Sequence, residues 1–498
     1  MRTGVRQGAR LSAGALVWAG FDGPSIPTAL LDAIARGRIG GLTLFAYRGN
    51  IRSREQVRAM LREAVAAARR GGLRPIPVSV DQEGGTVVRI GYGAVFPSAM
   101  AIGATADPGY AERAARAVGL GLLADGIAVN HAPVCDVNVE PRNPVIGTRS
   151  FGDDPAGVAG FAAAWVKGSE GVGVATAPKH FPGHGATPYD THHTTVDVSV
   201  DRATLDAREL VPFRATIAAG ASSMMTAHIR YPALDDESIA TLSPFILQDL
   251  LRGSLGFTGL AMTDALDMSG LTQVETAEHV LARAINAGID AVLMPTGLER
   301  QLDAQEQIAL GVLPTRLAQA IGRAAAFRDR FGVDVPDAPF DDGPGGALAL
   351  EIAGASITHT GPALPQLGGP LRVVTFRSTR RSPVEELAEP ETRLEGLLRE
   401  RLGGRLAYSA DGSAPAGDGP LVVCTASASF DPEQAARAKE LLRDGGILCA
   451  LRSPYDATLF PMSPTLLTYG DVPASLHALA DVLTGRAAPR GSLPVRLS

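Results

Sequence analysis

"PIPVSVDQEGG", Pro75–Gly85, is the stretch whose reading decides the fold. A short apolar run, rich in β-branched residues, closes on an acid, Asp81. Two glycines, Gly84 and Gly85, follow at once and allow a ligand or another backbone to approach closely. The run reads as a buried strand. The question is whether its neighbours repeat the pattern, and they do. "ALVWAGF" from Ala15 and "GLTLFA" from Gly41 lie upstream. "IAVNHAPVCDV" from Ile127, "VATAPKH" from Val174, "SSMMTAHI" from Ser222, "GLAMTDA" from Gly259 and "IDAVLMP" from Ile289 lie downstream. Amphipathic, Ala/Leu/Arg-rich stretches separate them. "SREQVRAMLREAVAAARR", Ser53–Arg70, opens with a Ser N-cap and Gln56 in capping-box spacing. "DRATLDARELVPFRATIAAG", Asp201–Gly220, ends on a C-cap glycine. Eight such units in roughly 300 residues predict an α/β chain whose first part is a (β/α)8 barrel of the TIM type.

Polar groups gather at the C-terminal ends of the runs: Asp22, Asp81, Asp136, Lys179 with His180, His228 and Asp264. Barrel active sites are built at that rim. After Phe331 the stretch "GVDVPDAPFDDGPGG" is rich in Pro, Gly and Asp. It divides the chain into a barrel over 1–335, a linker over 336–346 and a smaller α/β sandwich over 347–498. The second domain's strands are expected at "LRVVTFR" (Leu371), "LVVCTA" (Leu421), "GILCALR" (Gly446) and "LLTYG" (Leu466), in a mostly parallel sheet.

Composition narrows the function classes. The net charge of −6 gives no basic footprint, which argues against nucleic acid as a partner. Three cysteines, Cys135, Cys424 and Cys449, read as buried free thiols. Arg2, Arg6 and Arg10 precede an apolar run, as in a signal peptide. That run is short and broken by Gly14 and Gly20, so it reads as the first barrel strand. A cytoplasmic protein without a membrane span, monomeric or homodimeric, is expected.

"KHFPGHGATPYDTHH", Lys179–His193, holds four of the nine histidines and one of only three lysines. Pro182, Gly183, Gly185 and Pro188 exclude a helix, so His180 and His184 do not share a helical face as zinc ligands would. No metal or organic cofactor is implied. Lys179 and His180 can donate to hydroxyls at a strand end. Asp190 beside His192 can orient the imidazole and stabilise its protonated form, which suits a general acid and then a base. His193 reads as a bystander. Asp264 is either a helix N-cap or a carboxylate nucleophile, and Asp267 fits a first helical turn. Asp81 and Arg89 suit polyol binding or form a structural pair, and Arg149 carries the same two readings.

These residues resemble the bacterial β-N-acetylglucosaminidases of glycoside hydrolase family 3. The motifs are "DQEGGTVVR", "IGTRSFG", "KHFPGHGATPYDTH", "MTAHI" and "GFTGLAMTDALDM", in the family's order. The resemblance spans residues 10–335 and, more weakly, the closing "ADVLTGRAAPRGSLPVRL". It implies an exo-acting retaining hydrolase of terminal GlcNAc, with amino-sugar oligosaccharides or cell-wall muropeptides as substrates. Asp264 matches the nucleophile, His192 the acid/base and Asp190 its dyad partner. Asp81, Arg89, Arg149, Lys179 and His180 match residues that hold the terminal sugar, and His228 matches a rim histidine. The chain departs from the pattern in its Asp-Thr-His dyad, where Asp-Ser-His is usual, and in the missing proline of "HTTVDVS". Rival readings are a phosphorylase of the same family, a β-glucosidase or β-xylosidase, and a non-catalytic sugar-binding protein.

Overall fold

The computed structural model describes residues 13–189, 196–266, 279–295, 297–376, 382, 385 and 390–497. Each of the eight apolar runs contains a strand: β1 Val17–Ala19, β2 Gly41–Leu44, β3 Val78–Val80, β4 Val129–Asn130, β5 Ala175–Thr176, β6 Ser223–Thr226, β7 Leu260–Ala265 and β8 Ala291–Leu293. All neighbours pair in parallel, from β5 through β4, β3, β2, β1, β8 and β7 to β6. The strands are short and buried on both faces, which is why they read as continuous apolar runs without alternation.

The cylinder closes between β5 and β6, and the chain just beyond β5 makes the seam. Met225 N–H donates to Pro178 O, Phe181 N–H to Met225 O and Ala227 N–H to Phe181 O, at 2.8–3.0 Å. On its other side the same segment is stitched to the chain after β4, through Lys179 N–H to Pro133 O and Cys135 N–H to Lys179 O. "PKHF" therefore acts as a strand extension at the rim.

Helices cover the outside. In Arg54–Arg70, Val57, Met60, Leu61, Ala64, Ala67 and Ala68 form the buried stripe. Ser53 caps it by accepting from Gln56 N–H. The reciprocal half of the expected capping box is shifted, because Gln56 Oε1 accepts from Arg52 N–H, one residue before the cap. Gly41 is required by packing. A Cβ there would lie 2.4 Å from the Trp18 ring, which itself meets Phe327 at 6.1 Å.

At the base of the barrel, Asp290 is fully buried just before β8 and gathers three guanidinium groups. Arg316 approaches at 2.6 Å, Arg323 at 3.2 Å and Arg252 at 2.5 Å, while Ala261 N–H donates at 3.1 Å. Burial and the two neighbouring arginines lower the Arg252 pKa to about 10, against the pull of Asp290. Helices Phe245–Ser254 and Pro314–Phe331 are thereby tied to one carboxylate.

Beyond Phe331 the chain runs along helix Arg54–Arg70. Arg54 binds Asp342, Arg62 binds Asp337 and Arg69 binds Asp334. A helix then begins at Gly343, within the stretch read as linker, with Pro344 in its first turn, and ends at Ser356. The second sheet comprises β9 Thr358–Thr360, β10 Leu371–Thr375, β11 Leu406–Ser409, β12 Leu421–Thr425, β13 Ile447–Ala450 and β14 Thr465–Leu467. Its order is β9-β14-β13-β12-β10-β11, parallel except for the antiparallel pair β9–β14. The four expected strands are present. The two not expected, β9 ("THT") and β11 ("LAYS"), are the edges, half-exposed and too polar or too short to stand out as apolar runs. Among the described residues no helix is long and apolar enough to cross a membrane.

Replacing Asp290 by Ala would leave three buried guanidinium groups without their shared carboxylate. The variant should lose about 3–5 kcal/mol of stability, read from urea unfolding curves.

Candidate active site

The C-terminal rim of the barrel carries a buried ionic cluster assembled from three strands. Asp81 follows β3. Lys179 follows β5 and places its Nζ 2.7 Å from Asp81 Oδ1 and 2.6 Å from Glu83 Oε1. Arg149 follows β4 in a short turn, Gly147–Arg149, and grips Glu83 with two parallel bonds: Nε to Oε2 and a terminal nitrogen to Oε1, both 2.8 Å. All four side chains are buried.

The expected pairing of Asp81 with Arg89 is thus secondary. Arg89 stands 3.8 Å from Asp81 Oδ2, and Lys179 is the close partner. Arg89 instead lies over two aromatic faces, Phe45 at 5.8 Å and Tyr47 at 5.5 Å, both from the loop after β2. His131, buried at the end of β4, adds its Nδ1 3.7 Å from Asp81 Oδ1.

The charges of this cluster hold one another ionised. Burial pushes the Glu83 carboxyl up, but Arg149 and Lys179 outweigh it and bring the pKa to about 2. At Asp81 burial again opposes, and Lys179, His131 and Arg89 hold the group well below the usual carboxylate range. Lys179 and Arg149 stay above their ordinary values for the reciprocal reason: burial disfavours the charge and the carboxylates restore it. A cluster of fixed carboxylates and cations at the barrel rim presents acceptors and donors together, the set a polyol requires.

Asp136, fully buried at the end of the β4 run, organises the next segment. Its Oδ1 accepts from His180 N–H at 3.1 Å and His184 N–H at 2.7 Å. Its Oδ2 lies 2.7 Å from His180 Nδ1, which fixes the orientation of the ring. The His180 and His184 rings meet edge to face at 5.7 Å. A turn brings them together, as the prolines and glycines required. Burial and the nearby His180 depress the His184 pKa to about 4, against the pull of Asp136. Among the described residues no cluster of His, Cys, Asp and Glu is arranged to hold a metal ion.

Asp264 lies near the end of β7, half-buried. The ladder between β7 and β8 slips there: Met262 pairs with Ala291 and Ala265 with Leu293, so two residues, Thr263 and Asp264, stand against one. This is a β-bulge, a device that re-aims a side chain at a strand end. Thr263 Oγ1 accepts from Leu293 N–H at 3.0 Å, and Asp264 Oδ1 accepts from Ala265 N–H at 2.7 Å. His228 braces the same spot from β6. Its Nε2 lies 3.3 Å from Ala265 O and its Nδ1 2.8 Å from Thr241 Oγ1. The described bonds of this rim histidine support the peptide after Asp264.

Asp190, Thr191, His192 and His193 lie outside the described residues, as do Asp267 and the N-terminal Arg2, Arg6 and Arg10. The flanks of the 190–195 segment are anchored. On one side Tyr231 donates to Gly183 O and Asn143 Nδ2 to His184 O. On the other, Val196–Asp197 pairs in parallel with Ile229–Arg230, and Arg230 binds Asp197 at 2.7 Å.

Sequence reasoning did not single out Glu83, His131 or Thr241, and saw Asp136 only as a rim acid. Glu83 was within reach. It stands two residues from Asp81, and Gln82–Gly84 forms a short strand against Val87–Val88.

Glu83→Gln tests the ionic cluster. The native carboxyl has a folded pKa below its unfolded value, so its stabilisation is present above about pH 4.5 and is lost as pH falls toward about 2. The variant should be less stable than the parent by about 3 kcal/mol at neutral pH. That gap should close over the same acid window in urea unfolding measured across pH.

Residues 16–321 match the family model for the glycosyl hydrolase family 3 N-terminal domain. Beta-hexosaminidase A of Pseudoalteromonas piscicida is 39% identical over 297 residues, 56% of this chain and 49% of that protein, so the chain spans about half of that relative's length. A beta-hexosaminidase of Stenotrophomonas maltophilia (strain K279a) is 38% identical over 330 residues, 63% of this chain and 93% of that protein. Among solved structures, a glycoside hydrolase family 3 beta-N-acetylglucosaminidase from Paenibacillus sp. str. FPU-7 superposes with a TM-score of 0.91 at 32% identity, covering 98% of this chain and 99% of that one. The family model covers more than half of the chain and the fold agrees over both domains: the chain belongs to glycoside hydrolase family 3.

Proposed function

We propose that the protein is an exo-acting, retaining β-N-acetylglucosaminidase. The observation that carries this reading is the meeting, on one rim, of the buried Asp81–Lys179–Glu83–Arg149 cluster and of Asp264 on its bulge. The cluster supplies paired acceptors and donors for the hydroxyls of one terminal sugar, and Asp264 supplies a carboxylate one strand beyond β6. The names of the relatives support the amino-sugar specificity. Amino-sugar oligosaccharides and cell-wall muropeptides are the substrates proposed.

In the proposed mechanism Asp264 attacks the anomeric carbon while the protonated imidazole of His192 gives its proton to the leaving oxygen. The aglycone departs, leaving a glycosyl ester on Asp264. His192, now neutral, takes a proton from the water that attacks the same carbon. The ester breaks, and Asp264 and the protonated His192 are restored. Two inversions give net retention. Asp190 holds the ring's orientation and stabilises its protonated form. Lys179, His180, Asp81 and Arg149 grip the sugar, and His228 keeps the peptide beside Asp264 in place.

Asp264→Ala should abolish turnover of a chromogenic β-GlcNAc glycoside. His192→Ala should slow glycosides with poor leaving groups by about 10²–10⁴-fold and slow activated aryl glycosides far less. Equal slowing of every leaving group would remove His192 from the acid role.

Assays of β-GlcNAc, β-Glc and β-GalNAc aryl glycosides, with and without phosphate, test the activity itself. The reading requires phosphate-independent release from the GlcNAc substrate with retained anomeric configuration. Phosphate-dependent formation of GlcNAc-1-phosphate would make the protein a phosphorylase instead.

A further inference from the structure

We infer that the second domain is a positioning element for the sugar grip, acting through one short barrel helix, Ala99–Ala104, and through residues Ser492–Arg496. The inference rests on the rim cluster being the sugar site, as proposed above. Glu83 and Arg149 sit on separate loops, and their two 2.8 Å bonds require those loops to keep one relative position. Both loops pack against the same six-residue helix. Gly85, two residues after Glu83, touches its cap: a Cβ there would lie 2.5 Å from Ser98 Cβ, and Gly85 N–H donates to Phe96 O at 3.0 Å. Phe151, two residues after Arg149, touches its far end: a Cβ on Gly103 would lie 1.9 Å from Phe151 O.

A helix of six residues does not hold itself in water. This one is fixed from outside: Ala99 and Ile102 belong to the main core that holds the barrel strands, and its other face meets the second domain. Met100, Ala101 and Ala104 form one buried apolar cluster with Ala450, Tyr455, Leu467, Tyr469 and Val495. Ser98 Oγ both caps the helix, accepting from Ala101 N–H at 3.1 Å, and donates to Tyr469 O at 2.7 Å. The Arg149 loop is gripped a second time. Pro494 O accepts from Asp153 N–H at 3.1 Å, Arg496 N–H donates to Asp153 at 2.8 Å, and Asn138 Nδ2 donates to the Tyr455 hydroxyl at 2.9 Å. Asn138 N–H in turn donates to Gly152 O at 2.9 Å. None of these second-domain residues belongs to the ionic cluster, so they act through Glu83 and Arg149 and not on the sugar.

Two variants test this: truncation after Leu493, which removes Pro494, Val495 and Arg496 with the two residues that follow, and Tyr455→Phe, which removes one hydroxyl. KM and kcat are measured on an aryl β-GlcNAc glycoside, and amide hydrogen exchange is followed over residues 83–86 and 148–152. KM should rise about five- to tenfold, the affinity equivalent of a lost buried hydrogen bond, with kcat within about twofold of the parent. Exchange in both loops should quicken. A folded truncation with parental KM and parental exchange would overturn the inference, as would a fall in kcat at constant KM. Should the truncation fail to fold, Tyr455→Phe and Ser98→Ala decide: parental KM and exchange in both overturn it, and Ser98→Thr should restore what Ser98→Ala loses. If the parent protein does not turn over the glycoside, the activity proposal fails, and hydrogen exchange alone still decides the positioning role.

Discussion

The ammonium of Lys179, buried between the carboxylates of Asp81 and Glu83, is the interaction on which the site depends. Two carboxylates at this depth repel each other and lose their hydration, so a bare pair would protonate. One cation between them at 2.6–2.7 Å, and Arg149 doubly bonded to Glu83, keep both ionised. The arrangement also links strands: the chain after β3 supplies the acids, the chain after β4 the guanidinium, and the chain after β5 the ammonium. Charge neutralisation therefore locks together the three connections that follow β3, β4 and β5.

The same segment that carries Lys179 closes the barrel. β5 as a ladder strand is only Ala175–Thr176, and Pro178–Phe181 makes the seam to β6. Structural closure and ligand chemistry thus share a few residues. Asp136 contributes from below by accepting from the backbone of His180 and His184 and from the His180 ring. Thr263 does the equivalent work at β7, where its hydroxyl replaces a lost ladder partner and lets the bulge turn Asp264.

The two domains divide the labour by physics. The barrel places Asp81, Lys179 and Asp264 at or just beyond strand ends, and Glu83 and Arg149 on the connections that follow β3 and β4. The second domain covers the apolar side of Ala99–Ala104, which could not stay folded if exposed. Opposite the site, Asp290 ties two helices to the barrel base without sharing a residue with the chemistry.

Much of this was legible in the sequence. Eight doubly buried strands must appear as eight apolar runs, so the barrel could be counted, and polar residues at one end of each run could only belong to one rim. The candidates Asp81, Lys179, His180, His228 and Asp264 followed from that. Pairing was not legible. Local patterns carry no distance, so Arg89 looked like the partner of Asp81 until tertiary structure put Lys179, 98 residues away, at 2.7 Å. Glu83 and Asp136 were visible as letters, yet their importance comes from groups 66 and 44 residues distant. Strands β9 and β11 were missed because edge strands bury too little to mark themselves. The sequence by itself determined the barrel, its polar rim and the residue types gathered there, because hydrophobic periodicity and turn chemistry are local. Only the tertiary structure decided which charge neutralises which, how β7 bulges at Asp264 and what the second domain holds, because those depend on burial and contact between segments far apart in the chain.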